Sequence, residues 1–191
     1  MGSEMCIRDS LLSCLWYLCC LPVVTAGAAT TALYYVTLKM ARGQEGQLIP
    51  AFFHSFKQNL KQATALWVGY LTVGILLVLD LVICLQTSSV LAGAMFFTSV
   101  VLLACWALFI TMLFPLVARC DNTIGALFKM GIAMALRNVM PVLAALMVTV
   151  AFFAVGVFVF WPVLLVAPGL ASYCNAFLFN RIFDKYGMTL E

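Results

Sequence analysis

PVVTAGAATTALYYVTLKMARGQEGQLIPAFFHSFKQNLKQATALW, residues Pro22–Trp67, decides how this chain folds. The stretch opens on a Pro/Gly break and continues through a helix of small residues into a short charged loop. An amphipathic segment follows and runs directly into a long apolar run. Around it, 65% of the 191 residues are apolar and only 9% are charged. A soluble globular domain carries roughly a quarter charged residues. Crossing a hydrocarbon layer takes about 20 residues of helix, and several runs here are that long. The composition therefore specifies an all-α, polytopic helical membrane protein. We expect five to six transmembrane segments and short interfacial amphipathic helices, all in one membrane domain.

Residues 11–38 admit two readings. One is a single kinked helix of about 42 Å at 1.5 Å per residue. The other is a hairpin turning at Pro22–Gly27, with Thr25 capping the returning helix and Gly27 allowing the tight turn. A parallel near the far end of the chain favours the hairpin. Gly27 precedes Lys39 by twelve residues, and Gly169 precedes Arg181 by twelve. Both segments start with Pro/Gly and small residues, pass through aromatics and end on a cation. The outgoing arm Leu11–Leu21 is too short to span, and residues 1–10 (MGSEMCIRDS) read as a leader outside the fold.

Downstream, Pro50 suits the start of a helix, where its missing N–H costs nothing. Phe52, Phe53, Phe56, Leu60 and Ala63 gather on one side of that helix, while His54, Lys57 and Lys61 take the other. The pattern is that of a helix lying in the membrane surface, aromatics down and lysines toward headgroups. Ala63–Leu85 is a span of about 34 Å, with Trp67 near one end and Asp80 near the other. Asp80 lies five residues from the end of that span, so it reads either as a near-surface polar residue or as the candidate intramembrane polar site. Leu91–Val117, Val139–Phe160 and Val163–Phe183 are the further spans, the last irregular near Pro168-Gly169. Asp121 or Asn122 is placed to cap a helix from Thr123, and Asn175 and Asn180 to hydrogen-bond neighbouring helices. Phe56-Lys57 with Leu60, and Phe128-Lys129 with Ile132, hint at a repeated lead-in helix feeding a span.

Positive residues accumulate on the cytoplasmic side of membrane proteins. The 39–62 loop carries Lys39, Arg42, Lys57 and Lys61, and the 118–138 loop carries Arg119, Lys129 and Arg137. Arg181 and Lys185 lie near the C-terminus, whereas the connections near Gln86–Ser89 and Trp161–Gly169 are uncharged. Both basic loops and the C-terminus are therefore expected in the cytoplasm. No basic block points to nucleic acid. The eight cysteines form no C-x-x-C pair, and buried thiols usually pack as small apolar groups. Metal and redox work is not indicated, and no cofactor is implied.

Four blocks carry a resemblance: LPVVTAGAATTALYYVTLKM, FFHSFKQNLKQATALW, LFPLVARCDN and NRIFDKYG. Together they resemble the YesL-like family of bacterial integral membrane proteins, over residues 11–187, with 188–191 a tail. The resemblance implies a domain of unknown function, commonly encoded beside carbohydrate-uptake and polysaccharide-utilisation systems, with no established catalytic residues. Pro22, Thr25, Gly27, Asp121, Asn122 and Asp184 match its motif positions, where their roles are turns, caps and end anchors.

No metalloprotease, nucleophile-elbow or phosphate-loop motif is present. The leading reading is a non-catalytic accessory or regulatory component in the bacterial plasma membrane, associated with carbohydrate uptake. Its partners would be the lipid bilayer and a carbohydrate permease or membrane sensor; the sequence leaves the oligomeric state open. The alternative is a small solute transporter or channel, built on the helix breaks at Pro22–Gly27 and Pro168–Gly169.

Overall fold

A computed structural model describes residues 2–43, 47–87, 90–120, 122–158 and 161–187. Among them are seven helices and no strand: α1 (Gly2–Cys20), α2 (Ala26–Ala41), α3 (Leu48–Gln86), α4 (Val90–Val117), α5 (Ile124–Arg137), α6 (Val139–Phe158) and α7 (Trp161–Lys185). α3, α4, α6 and α7 are long and apolar enough to cross a membrane. The protein is thus an all-helical membrane protein.

Residues 11–38 form the hairpin. α1 ends at Cys20, a single 3-10 turn spans Val23–Thr25, and α2 returns beside α1. Trp16 Nε1 donates to Thr30 Oγ1 across the pair at 3.1 Å. The hairpin divides this region into two short arms, so four helices among the described residues are long enough to cross, fewer than the five to six expected.

Thr25 does not cap α2 with its side chain. Its hydroxyl points back to Cys19 O (2.6 Å), at the end of α1 where carbonyls lack helical partners, and also lies 2.8 Å from Pro22 O in the turn. Gly27 likewise serves a purpose other than turning. It lies inside α2, where an added Cβ would sit 2.5 Å from Trp67 Cβ and 2.7 Å from Ala63 O. Its missing side chain lets α2 and α3 approach backbone to backbone.

The proposed surface helix is the first third of α3, with no break before the span. α3 is one helix of 39 residues, about 58 Å long and nearly twice a typical hydrocarbon thickness. Phe52, Ser55, Asn59, Ala63 and Leu66 are buried in one stripe at steps of three and four. Phe52 is fully buried against Leu12, Ala32, Leu33 and Val36, while Lys57 and Lys61 remain exposed and Phe53 is only partly covered. The apolar face seen in the sequence is thus covered by the α1–α2 hairpin. Amphipathic spacing reveals that a face must be covered, and is silent on whether lipid or protein does it. The amphipathic helix that stays short and separate is α5, cut from α6 at Asn138.

α7 packs against α1, α2 and α6. α2 and α7 run parallel and in register. Asn180 Nδ2 donates to Leu38 O at 3.1 Å, and Arg42 pairs with Asp184, both at a separation of 142 residues. Gly27 and Gly169 are separated by the same 142 positions, so the repeat in the sequence is also the register in space.

Candidate functional site

Hydrophobic helices offer few groups for chemistry, so the site search follows the polar side chains. Four groupings stand out.

The largest cluster lies where α2, α4 and α7 end at their basic termini. Arg42 follows α2, Arg119 follows α4, and Asn180 and Asp184 share one face of α7. Arg42 Nε and an Arg119 guanidinium nitrogen donate to the same Asn180 Oδ1, at 3.1 and 3.0 Å. Arg42 pairs with Asp184, and Arg119 reaches the same carboxylate oxygen at 3.6 Å. The Arg119 side chain is fully buried while that of Asp184 is 62% exposed. Arg119 also lies over the Phe183 ring, 4.8 Å from its centre. Burial, then the Arg42 charge, hold the Arg119 guanidinium below its usual range, and Asp184 opposes both. A guanidinium keeps its proton under such conditions. The cluster therefore works as a fixed positive knot tying three helix ends together.

The second site surrounds Pro168. Proline has no N–H, so Leu164 O loses its helical partner. Tyr17 of α1 supplies the missing donor, its hydroxyl 2.6 Å from Leu164 O. Ser13 takes the N–H of Gly169 at 3.0 Å and donates to Val166 O at 3.3 Å. α7 remains one helix through the proline, with Tyr17 of α1 on the carbonyl that the proline frees and Ser13 of α1 on Gly169 N–H and Val166 O. The irregularity expected at Pro168-Gly169 is repaired from outside.

The third site is Asp80. It is half-buried on α3 and accepts a hydrogen bond from Ser99 of α4. Asp80 and Ser99 join two helices, and neither lines the α4–α5–α6 groove or the hollow between Leu11 and Pro50. The fourth is Asn175, fully buried on α7, which donates to Thr149 Oγ1 of α6 at 2.8 Å.

The remaining expected positions are dispersed. Pro22 is exposed at the hairpin turn, and its carbonyl accepts from Thr25. Asn122 caps nothing with its side chain: its carbonyl accepts from Gln62, and Thr123 precedes α5 without a side-chain cap. Asp121 lies outside the described residues. His54, Lys57 and Lys61 are exposed on α3.

Sequence reasoning found Asn175, Asn180 and Asp184 but missed Ser13 and Tyr17 as the hydroxyls beside Pro168, and Arg42 and Arg119 as the partners of Asn180 and Asp184. For the first two a signal existed. A proline inside a span leaves a carbonyl at the fourth residue before it, and hydroxyl-bearing residues in other apolar helices are the available donors.

Residues 10–81 match the family described as a protein of unknown function, DUF624. The resemblance drawn from the sequence blocks is to this same family. The matched segment covers α1 from Ser10, all of α2 and α3 as far as Leu81, and so includes Thr25, Gly27, Trp67 and Asp80. α4 to α7 lie beyond it. No curated protein and no solved structure matches the chain.

Proposed function

We propose that this protein is a non-catalytic component of the bacterial plasma membrane that works by holding another membrane protein. We assign it an accessory or regulatory role in carbohydrate uptake or utilisation. The basic termini of α2, α4 and α7 face the cytoplasm in this reading, following the distribution of Lys and Arg. The observation that carries the proposal is the distal part of the α3–α4 pair. Beyond Leu66, Gly74 and Cys84 are the buried residues of α3, and Ile75, Leu76, Leu79, Leu91, Phe97 and Val101 are all more than half exposed. Two long helices standing on each other offer two open faces for association within the bilayer. The carbohydrate assignment is supported by the family resemblance alone.

A solute pathway has less support. Asp80 is engaged with Ser99, and both helix breaks that could build a midplane site are closed by side chains of this same chain.

Photo-crosslinking groups at Leu79 and Phe97, compared with controls at Met140 and Met147, test the proposal in native membranes. A carbohydrate permease or sensor captured from the α3–α4 positions supports it. Lipid adducts alone at those positions, with solute flux from the purified protein in proteoliposomes, would favour the transporter.

A further inference from the structure

An apolar groove of about 280 Å³ runs between α4, α5 and α6. Cys105, Trp106 and Phe109 of α4 form one wall, and Phe128, Ile132 and Leu136 of α5 the other. The volume falls just below the range of small-molecule pockets, about 300–1,000 Å³, and suits a single alkyl chain. We propose that the groove seats one acyl chain of an anionic phospholipid, and that Lys129 and Arg137 hold its headgroup.

The argument starts from the surface of α5. Leu127, Gly131 and Met134 are buried toward the bundle. The exposed positions form two neighbouring rows, each with a step of four. The first is Ile124, Phe128, Ile132 and Leu136; the second, one residue on, is Gly125, Lys129, Ala133 and Arg137. One residue of helix is about 100° of rotation, so the cationic row borders the apolar one along its length. A helix at a membrane interface needs this division, with apolar side chains entering the acyl region and cations meeting phosphate.

Charge complementarity identifies the lipid class. α5 has no acidic residue. Among the described residues Lys129 and Arg137 form no ion pair, whereas Arg42 and Arg119 are already committed to Asp184. Lys129 and Arg137 are eight residues apart, about 12 Å along the axis, and two long flexible side chains can converge on one headgroup across that distance. Each cation near an anionic surface contributes about a fivefold preference. Gly131 brings α5 close to the α4 wall of the groove. An added Cβ there would lie 3.0 Å from the Phe109 ring, so α5 closes tightly on α4 at this point.

Native mass spectrometry of the full chain in detergent, titrated with phosphatidylglycerol or phosphatidylcholine, tests the site. One phosphatidylglycerol per chain is expected, preferred over phosphatidylcholine by about tenfold or more. In Lys129→Gln/Arg137→Gln the preference disappears while weak binding of both lipids persists. Ala135→Phe fills the groove and lowers retention of both. Leu136→Asn, an exposed change that leaves the bundle core alone, lowers it without disturbing the fold. Equal retention of the two lipids by the native chain overturns the proposal, as does undiminished retention in Leu136→Asn.

Discussion

The α2–α7 pair and the distal half of the α3–α4 pair are built on opposite terms. α2 buries ten of its sixteen residues, mostly Ala, Thr and Gly with a few larger side chains. In the most apolar window of α3, by contrast, 6% is buried, against 44% in α7. The greasier helix is the more exposed one. In a bilayer, lipid tails satisfy Leu and Ile as well as protein does, so apolarity alone does not bring helices together. Close backbone approach, as of α2 to α3 at Gly27, and hydrogen bonds such as Asn180 of α7 to Leu38 O of α2 do so. The distal α3–α4 pair is joined by an aromatic clasp of Tyr70 on Trp106, with ring centres 3.8 Å apart and Trp106 Nε1 donating to Tyr70 O, and by the Asp80–Ser99 bond.

Substitutions that hit the two regions differently sharpen this contrast, each read by unfolding in mixed detergent micelles. Gly27→Leu should have the largest effect, a loss of about 3 kcal/mol, because the obstacle is the Ala63 backbone and the Cβ of Trp67. Arg119→Met comes next at about 2 kcal/mol. Breaking a fully buried ion pair costs more, but the exposure of Asp184 reduces the penalty. Stability unchanged in this variant would mean that the knot does not hold the helix ends.

Tyr17→Phe strips the donor from Leu164 O and should cost about 1–2 kcal/mol. In a Pro168→Ala background the helix supplies its own N–H, and the same change should cost much less. A double-mutant cycle with no coupling would refute the repair of α7 by α1. Gly74→Ala is expected at about 1 kcal/mol. Its new Cβ meets the outer edge of the Trp106 ring, 2.4 Å away, and that ring can swing aside. Intrinsic fluorescence should report the change locally while the remaining bundle holds. Asp80→Asn should have the smallest effect, within about 0.5 kcal/mol, since the amide oxygen still accepts from Ser99.

The helical membrane class was legible because runs such as Leu91–Val117 leave no other solution. The in-register α2–α7 pair was legible in outline, since Gly27–Lys39 and Gly169–Arg181 repeat one design. What covers each face was not. Phe52 and Phe56 read as lipid-facing because the Leu12 and Val36 that meet them lie far away in sequence. The basal knot escaped for a related reason. Lys and Arg near span ends are expected as topology signals, and nothing local marks Arg42 and Arg119 as sharing Asn180. Thr25 misled because its residue type favours N-caps, while the 3-10 turn left acceptors at the end of α1 as the nearer need.

The mending of Pro168 has a consequence for biosynthesis. The Ser13 and Tyr17 hydroxyls leave the ribosome some 150 residues ahead of the backbone groups they serve. Throughout most of translation both must be satisfied by water or by their own helix. The first helix therefore reaches its final seat only when the last one is inserted, and nascent chains halted before Leu164 should show α1 loosely attached and open to protease.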